Sequence, residues 1–148
     1  MALDRLLDQG RIGPLHLRRQ EIAALVAHQL RKVQTDGQCD VHAWVIMPNH
    51  VHVLMTPRES LEILMRHLKG PVARAANLVL NLTGEPFWQA EYFDRTIRNQ
   101  EEFRKIQKYI EANPVRAGLA ANPEEFMWSS AEGRGLPGAG LEPCKQRG

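Results

Sequence analysis

Apolar residues recur in steps of three and four at Ile22, Leu25, Val26, Leu30 and Val33. That is the spacing of one face of a helix and predicts an amphipathic helix over residues 18–33, ended by the turn chemistry of Thr35-Asp36-Gly37. The next run, CDVHAWVIM at 39–47, is β-branched and aromatic and predicts a strand. Pro48-Asn49 marks a turn, and HVHVLMT at 50–56 predicts a second strand, so the pair forms an antiparallel hairpin. Ser60 caps a further helix carrying Ile63, Leu64, Leu68, Val72 and Ala75 on one side, with Gly70-Pro71 set to kink or split it. A third strand is expected near 92–97. A last helix follows from Gln100 to about Ala112, capped by Asn99 and stopped by Asn113-Pro114.

Strands and helices in this order predict an α+β fold, an antiparallel sheet with helices packed on it. The folded domain is expected over 1–131, with 132–148 a loose Gly/Pro-rich tail. A chain of 148 residues is long enough to bury a core without disulfides or metal clips. Nineteen basic against seventeen acidic residues give a net charge of only +2, so overall charge does not argue for a nucleic-acid partner. Two cysteines, Cys39 and Cys144, fit a reducing compartment better than an oxidised scaffold. With no long apolar run and no basic, apolar opening, a cytoplasmic chain without a membrane partner is expected.

The chemistry concentrates in two places. His50 and His52 flank Val51, and side chains two apart on a strand share a face, so both imidazoles can meet one divalent ion. Two ligands leave such a site incomplete, and the plainer alternative is a pair of histidines on a solvated face. On the last helix Lys105, Tyr109 and Asn113 form one stripe at i, i+4 and i+8, distinct from the apolar stripe Phe103, Ile106 and Ile110. Tyr109 therefore lies on the polar side, and the Asn113 amide oxygen is a candidate ligand for a hard cation, unless the pair merely packs and stops the helix. Lys69, Arg74, Arg95, Arg98, Lys105 and Arg116 are candidate phosphate contacts, competing with the reading of solvated, ion-paired helix faces. No P-loop, G-x-G-x-x-G, G-x-S-x-G, H-E-x-x-H or C-x-x-C is present.

The strings VIMPNHVHVL and YIEANPVRAGL together are far more specific than their parts. They resemble the IS200-like, single-tyrosine HUH transposases, and within them the REP-associated branch. FWQAEYFDRTIRNQEEF and WSSA look like the same branch, so the likeness runs from about residue 12 to 131. The resemblance implies a ferredoxin-like antiparallel sheet, with His50 and His52 as metal ligands, Asn113 as the third, and Tyr109 as the nucleophile. It also implies Mg²⁺ or Mn²⁺ as cofactor and hairpin-bearing single-stranded DNA as partner. The reaction implied is cleavage and rejoining through a 5′-phosphotyrosine; both dimeric and monomeric members are compatible with it. Members open with an extra strand that lies in the central sheet beside the His-x-His strand. No β-rich run precedes Arg18 here, so the sheet is expected to lack that strand. This motivates a second reading, a non-catalytic binder of structured single strands or a truncated remnant.

Overall fold

The computed structural model describes residues 1–8, 15–88 and 93–137. Its elements in chain order are β1 (Leu3–Asp8), α1 (Gln20–Thr35), β2 (Cys39–Ile46), β3 (His50–Pro57), α2 (Leu61–Leu80), β4 (Phe93–Thr96) and α3 (Gln100–Arg116). The strands form one antiparallel sheet in the order β2-β3-β1-β4. That is the α+β, ferredoxin-like layout expected, with one correction: the first strand is present. β1 pairs with β3 from Leu3↔Met55 to Asp8↔His50, and with β4 from Leu3↔Thr96 to Leu6↔Phe93. Its sequence, LDRLLD, carries few β-branched residues and so escaped a propensity reading. Position in the sheet overrides that preference: the buried Asp4 of β1 meets His52 of β3 and Arg95 of β4.

The alternation of a strand sorts the side chains into two layers. Leu7 of β1 and Val51, Val53 and Met55 of β3 face α1 and α2, packing on Ile22, Val26, Leu30, Leu64, Leu68 and Val72. Leu54 of β3 and Ala43 and Val45 of β2 face the other way, against Ile106 and Ile110 of α3. Fully burying each such Leu, Ile or Val stabilises the fold by about 1.5–3 kcal/mol. The sheet is thus sandwiched between α1 and α2 on one side and α3 on the other.

Two prolines expected to break helices do not. Pro71 lies inside α2, which continues to Leu80, where Asn81 takes the left-handed φ of 60° as its C-cap. Pro114 lies inside α3, which runs four residues past the expected stop at Ala112. It ends instead at Gly118, whose φ of 76° only glycine adopts without strain. The bonds Gly118 N–H to Val115 C=O and Leu119 N–H to Pro114 C=O satisfy the last carbonyls in a Schellman arrangement. Asn113 is therefore a helical residue one turn beyond Tyr109, not a terminal one.

Arg134 donates to the carbonyls of Phe126 and Glu124, at 2.6 and 2.9 Å, and Leu136 packs on the core, so residues 134–136 lie against the domain. The rest of the segment expected as a tail, 138–148 with Cys144, lies outside the described residues. Cys39 is a free thiol buried at the start of β2, and burial pushes its pKa up to about 11. Its raised value favours the thiol in the folded state, a contribution present below the ordinary thiol range and lost as pH rises toward 11. In a Cys144→Ser background, Cys39 is expected to react with a maleimide at pH 7.5 at least about tenfold more slowly than the same chain in denaturant. Equal rates would show that the β2 thiol is accessible.

Candidate metal and nucleophile site

β3 starts immediately after the Pro48-Asn49 turn, so His50 is its first residue and His52 its third. Both belong to the face that looks at α3, while Val51 between them is buried in the opposite core. His50 is half-buried, and its Nδ1 lies 3.0 Å from the Asn49 amide oxygen. His52 is buried. Its ring and that of Tyr109 meet in a T-shaped contact, with ring centroids 6.1 Å apart and planes at 73°. Two residues 57 positions apart in the chain are thus brought together by the packing of α3 across β2 and β3.

Tyr109 is 53% exposed although it touches the buried His52, so its hydroxyl-bearing ring is open to a large substrate. The Arg116 guanidinium lies over that ring at 3.8 Å from the centroid and donates to the Tyr109 carbonyl at 3.0 Å. Arg116 thus holds Tyr109 by cation–π stacking and by a backbone bond at once. Asn113 is half-buried on the same stripe of α3.

One site residue was not anticipated. Asp4 of β1 is buried, and its Oδ1 accepts a hydrogen bond from His52 Nε2. In register Asp4 pairs with Leu54 and Leu6 with His52, so Asp4 and His52 are diagonal neighbours on one face. Its second oxygen, Oδ2, lies 3.9 Å from Arg95 of β4. The only signal was the Asp itself, in a strand that the residue pattern did not reveal.

The basic residues singled out from the sequence separate into two groups. Arg95 lies beside Asp4, and Arg116 lies on Tyr109. Arg98 is exposed just before α3, and Lys105, one turn before Tyr109, is exposed with Glu101 3.6 Å away. Lys69 and Arg74 are on α2, across the sheet from this site. Arg74 is exposed there, whereas burial and the nearby charge of Arg5 push the Lys69 ammonium below the ordinary lysine value.

Among the described residues, no three His, Cys, Asp or Glu side chains are placed together as a metal cage. The donor set expected from the sequence is two imidazoles and an amide oxygen; the structure puts the imidazoles of His50 and His52 on one strand face and Asn113 on α3, one turn beyond Tyr109. Such a mixed N/O set leaves positions for water or phosphate oxygens, as Mg²⁺ and Mn²⁺ require.

The family model described as Transposase IS200 like matches residues 16–113. The chain belongs to this family. It is 27% identical over 109 residues to the REP-associated tyrosine transposase of Escherichia coli K12, covering 72% of this chain and 62% of that one. It is 30% identical over 99 residues to the ISDra2 transposase TnpA of Deinococcus radiodurans, covering 62% of this chain and 70% of the relative. In structure it is similar to a REP-associated tyrosine transposase solved bound to a REP hairpin, with a TM-score of 0.73 and 22% identity over 93% of this chain and 82% of the other. A transposase structure from D. radiodurans aligns at a TM-score of 0.51 and 22% identity, over 75% of this chain and 88% of that one. This IS200-like family member therefore shares the REP-associated branch's sequence features and fold, and it spans 62% of the E. coli relative's length. Among the described residues, no helix of this family member is long and apolar enough to cross a membrane.

Proposed function

We propose that this chain is a DNA strand transferase that cuts and rejoins single-stranded DNA beside a hairpin, with Tyr109 as nucleophile and a divalent ion on His50, His52 and Asn113. The observation that carries the reading is the contact of Tyr109 with His52 across the α3–β3 interface. A nucleophile and a candidate ligand meet there with the tyrosine still exposed. The motive for the remnant reading falls away, because β1 occupies the middle of the sheet.

The chain's residues divide the work. The Tyr109 oxygen attacks the scissile phosphorus; a P–O(Tyr109) bond forms and the P–O3′ bond breaks. The phenol loses its proton and the departing 3′-oxygen gains one, so the products are a 5′-phosphotyrosine and a free 3′-hydroxyl. The phosphoester bond is conserved, and a second 3′-hydroxyl can reverse the step without ATP. The ion, when bound, supplies charge neutralisation at the phosphate oxygens. Arg116 restrains the tyrosine ring and adds positive charge beside it, while Arg95, Arg98 and Lys105 offer phosphate contacts on the same side. Arg74 and Lys69 suit DNA contacts only if the strand wraps to the α2 side.

Incubation with hairpin-bearing single strands and Mg²⁺ should yield a protein–DNA adduct stable in denaturing gels and lost with EDTA. Free 5′-phosphates with no adduct would favour hydrolysis by water instead. Arg116→Ala should leave the melting midpoint nearly unchanged, since the side chain is exposed, but slow adduct formation about tenfold or more. Arg116→Lys should restore DNA binding better than cleavage rate, because lysine keeps the charge and loses the planar stack. Equal recovery of both would remove the stacking argument.

A further inference from the structure

We propose that Asp4 is a positioning residue of the metal centre, fixing His52 in the tautomer that presents Nδ1. The inference rests on the proposed function above and deepens it. Asp4 Oδ1 accepts from His52 Nε2, both side chains are buried, and a carboxylate offers no proton in return. The ring proton is therefore held on Nε2, and Nδ1 carries the only lone pair left for a ligand.

Asp4 acts through the histidine, since its Oδ1 is engaged by His52 Nε2 and its Oδ2 faces Arg95. The arrangement is the carboxylate–histidine pairing by which proteins orient a ligating imidazole and raise its basicity. Arg95, 3.9 Å from Asp4 Oδ2, fastens the far side of the carboxylate from β4, so three strands, β1, β3 and β4, set one ring. His50 is held by its other nitrogen, Nδ1, against Asn49.

The test uses the full chain. Long-range ¹⁵N–¹H spectra of the metal-free protein should show the neutral His52 ring as the Nε2–H tautomer. Asp4→Asn, close to isosteric but able to donate, should abolish that preference, and Mn²⁺ affinity read by electron paramagnetic resonance should weaken roughly 10–100-fold. An Nδ1–H tautomer in the unmutated protein overturns the inference without any variant. So does Asp4→Asn with an unchanged tautomer and a Kd within twofold of the parent. In both cases tight Mn²⁺ binding by the parent, lost in His50→Ala, leaves the wider functional reading standing. A parent chain that binds no Mn²⁺ overturns both.

Discussion

Tyr109→Phe is expected to abolish covalent capture of DNA while leaving the protein folded and able to bind the strand. The substitution removes one oxygen from a ring that is already half in solvent. The contact of that ring with His52 and its stacking under Arg116 use the π-face and edge, which phenylalanine retains. The melting midpoint should therefore correspond to a change within about 0.5 kcal/mol. The reaction loses its nucleophile, and the adduct rate should fall on the order of 10³-fold or more, about 4 kcal/mol of barrier or higher. A gel of the cleavage products separates the mechanisms. Strand cleavage that persists in the variant and leaves free 5′-phosphates would assign the chemistry to water, with Tyr109 a packing residue. Binding without cleavage in both proteins would support the non-catalytic reading.

How far this site could be read from residues alone differs from member to member. His50, His52 and Tyr109 could be singled out as candidates because two strings, VIMPNHVHVL and YIEANPVRAGL, carry chemistry-bearing residues at fixed spacing, and the contact of His52 with Tyr109 joins the two strings in space. Strand alternation then put both histidines on one face without further information. The side chosen by α3 was not legible, since it depends on which apolar stripe finds the sheet; Ile106 and Ile110 decide it by packing on Leu54 and Val45. Asn113 was placed in the right stripe but at a helix end that does not exist. A proline close to a C-terminus forfeits only the bonds of the last turn, and Gly118 supplies the stop. Asp4 and the whole of β1 were missed for one reason. Charged residues in a strand read as loop until their partners are known, and those partners, His52 and Arg95, lie 48 and 91 positions away.

The same strand supports the second large effect. Leu7→Asp is expected to cost at least about 5 kcal/mol, from the loss of roughly 2 kcal/mol of apolar transfer plus several for a carboxylate without a partner. Leu7 is 1% exposed, in the core that joins β1 to α1 and α2, and lies opposite Val51 of β3. Against a total stability of about 5–15 kcal/mol, that loss either removes the cooperative transition or lowers its midpoint by about 10–20 °C. Leu78→Asp is the matched control, because Leu78 on α2 is 73% exposed and the same change should leave the midpoint within about 2 °C. Thermal melts followed by circular dichroism decide it. If Leu7→Asp melts like Leu78→Asp, β1 is not packed in the centre of the sheet. In that event Asp4 is no longer held beside His52, and a three-stranded sheet with an open edge is the correct fold. If the two variants separate as expected, the strand that carries Asp4 is a structural requirement of the domain. The carboxylate then reaches the histidine from a rigid element, which is what a positioning role demands.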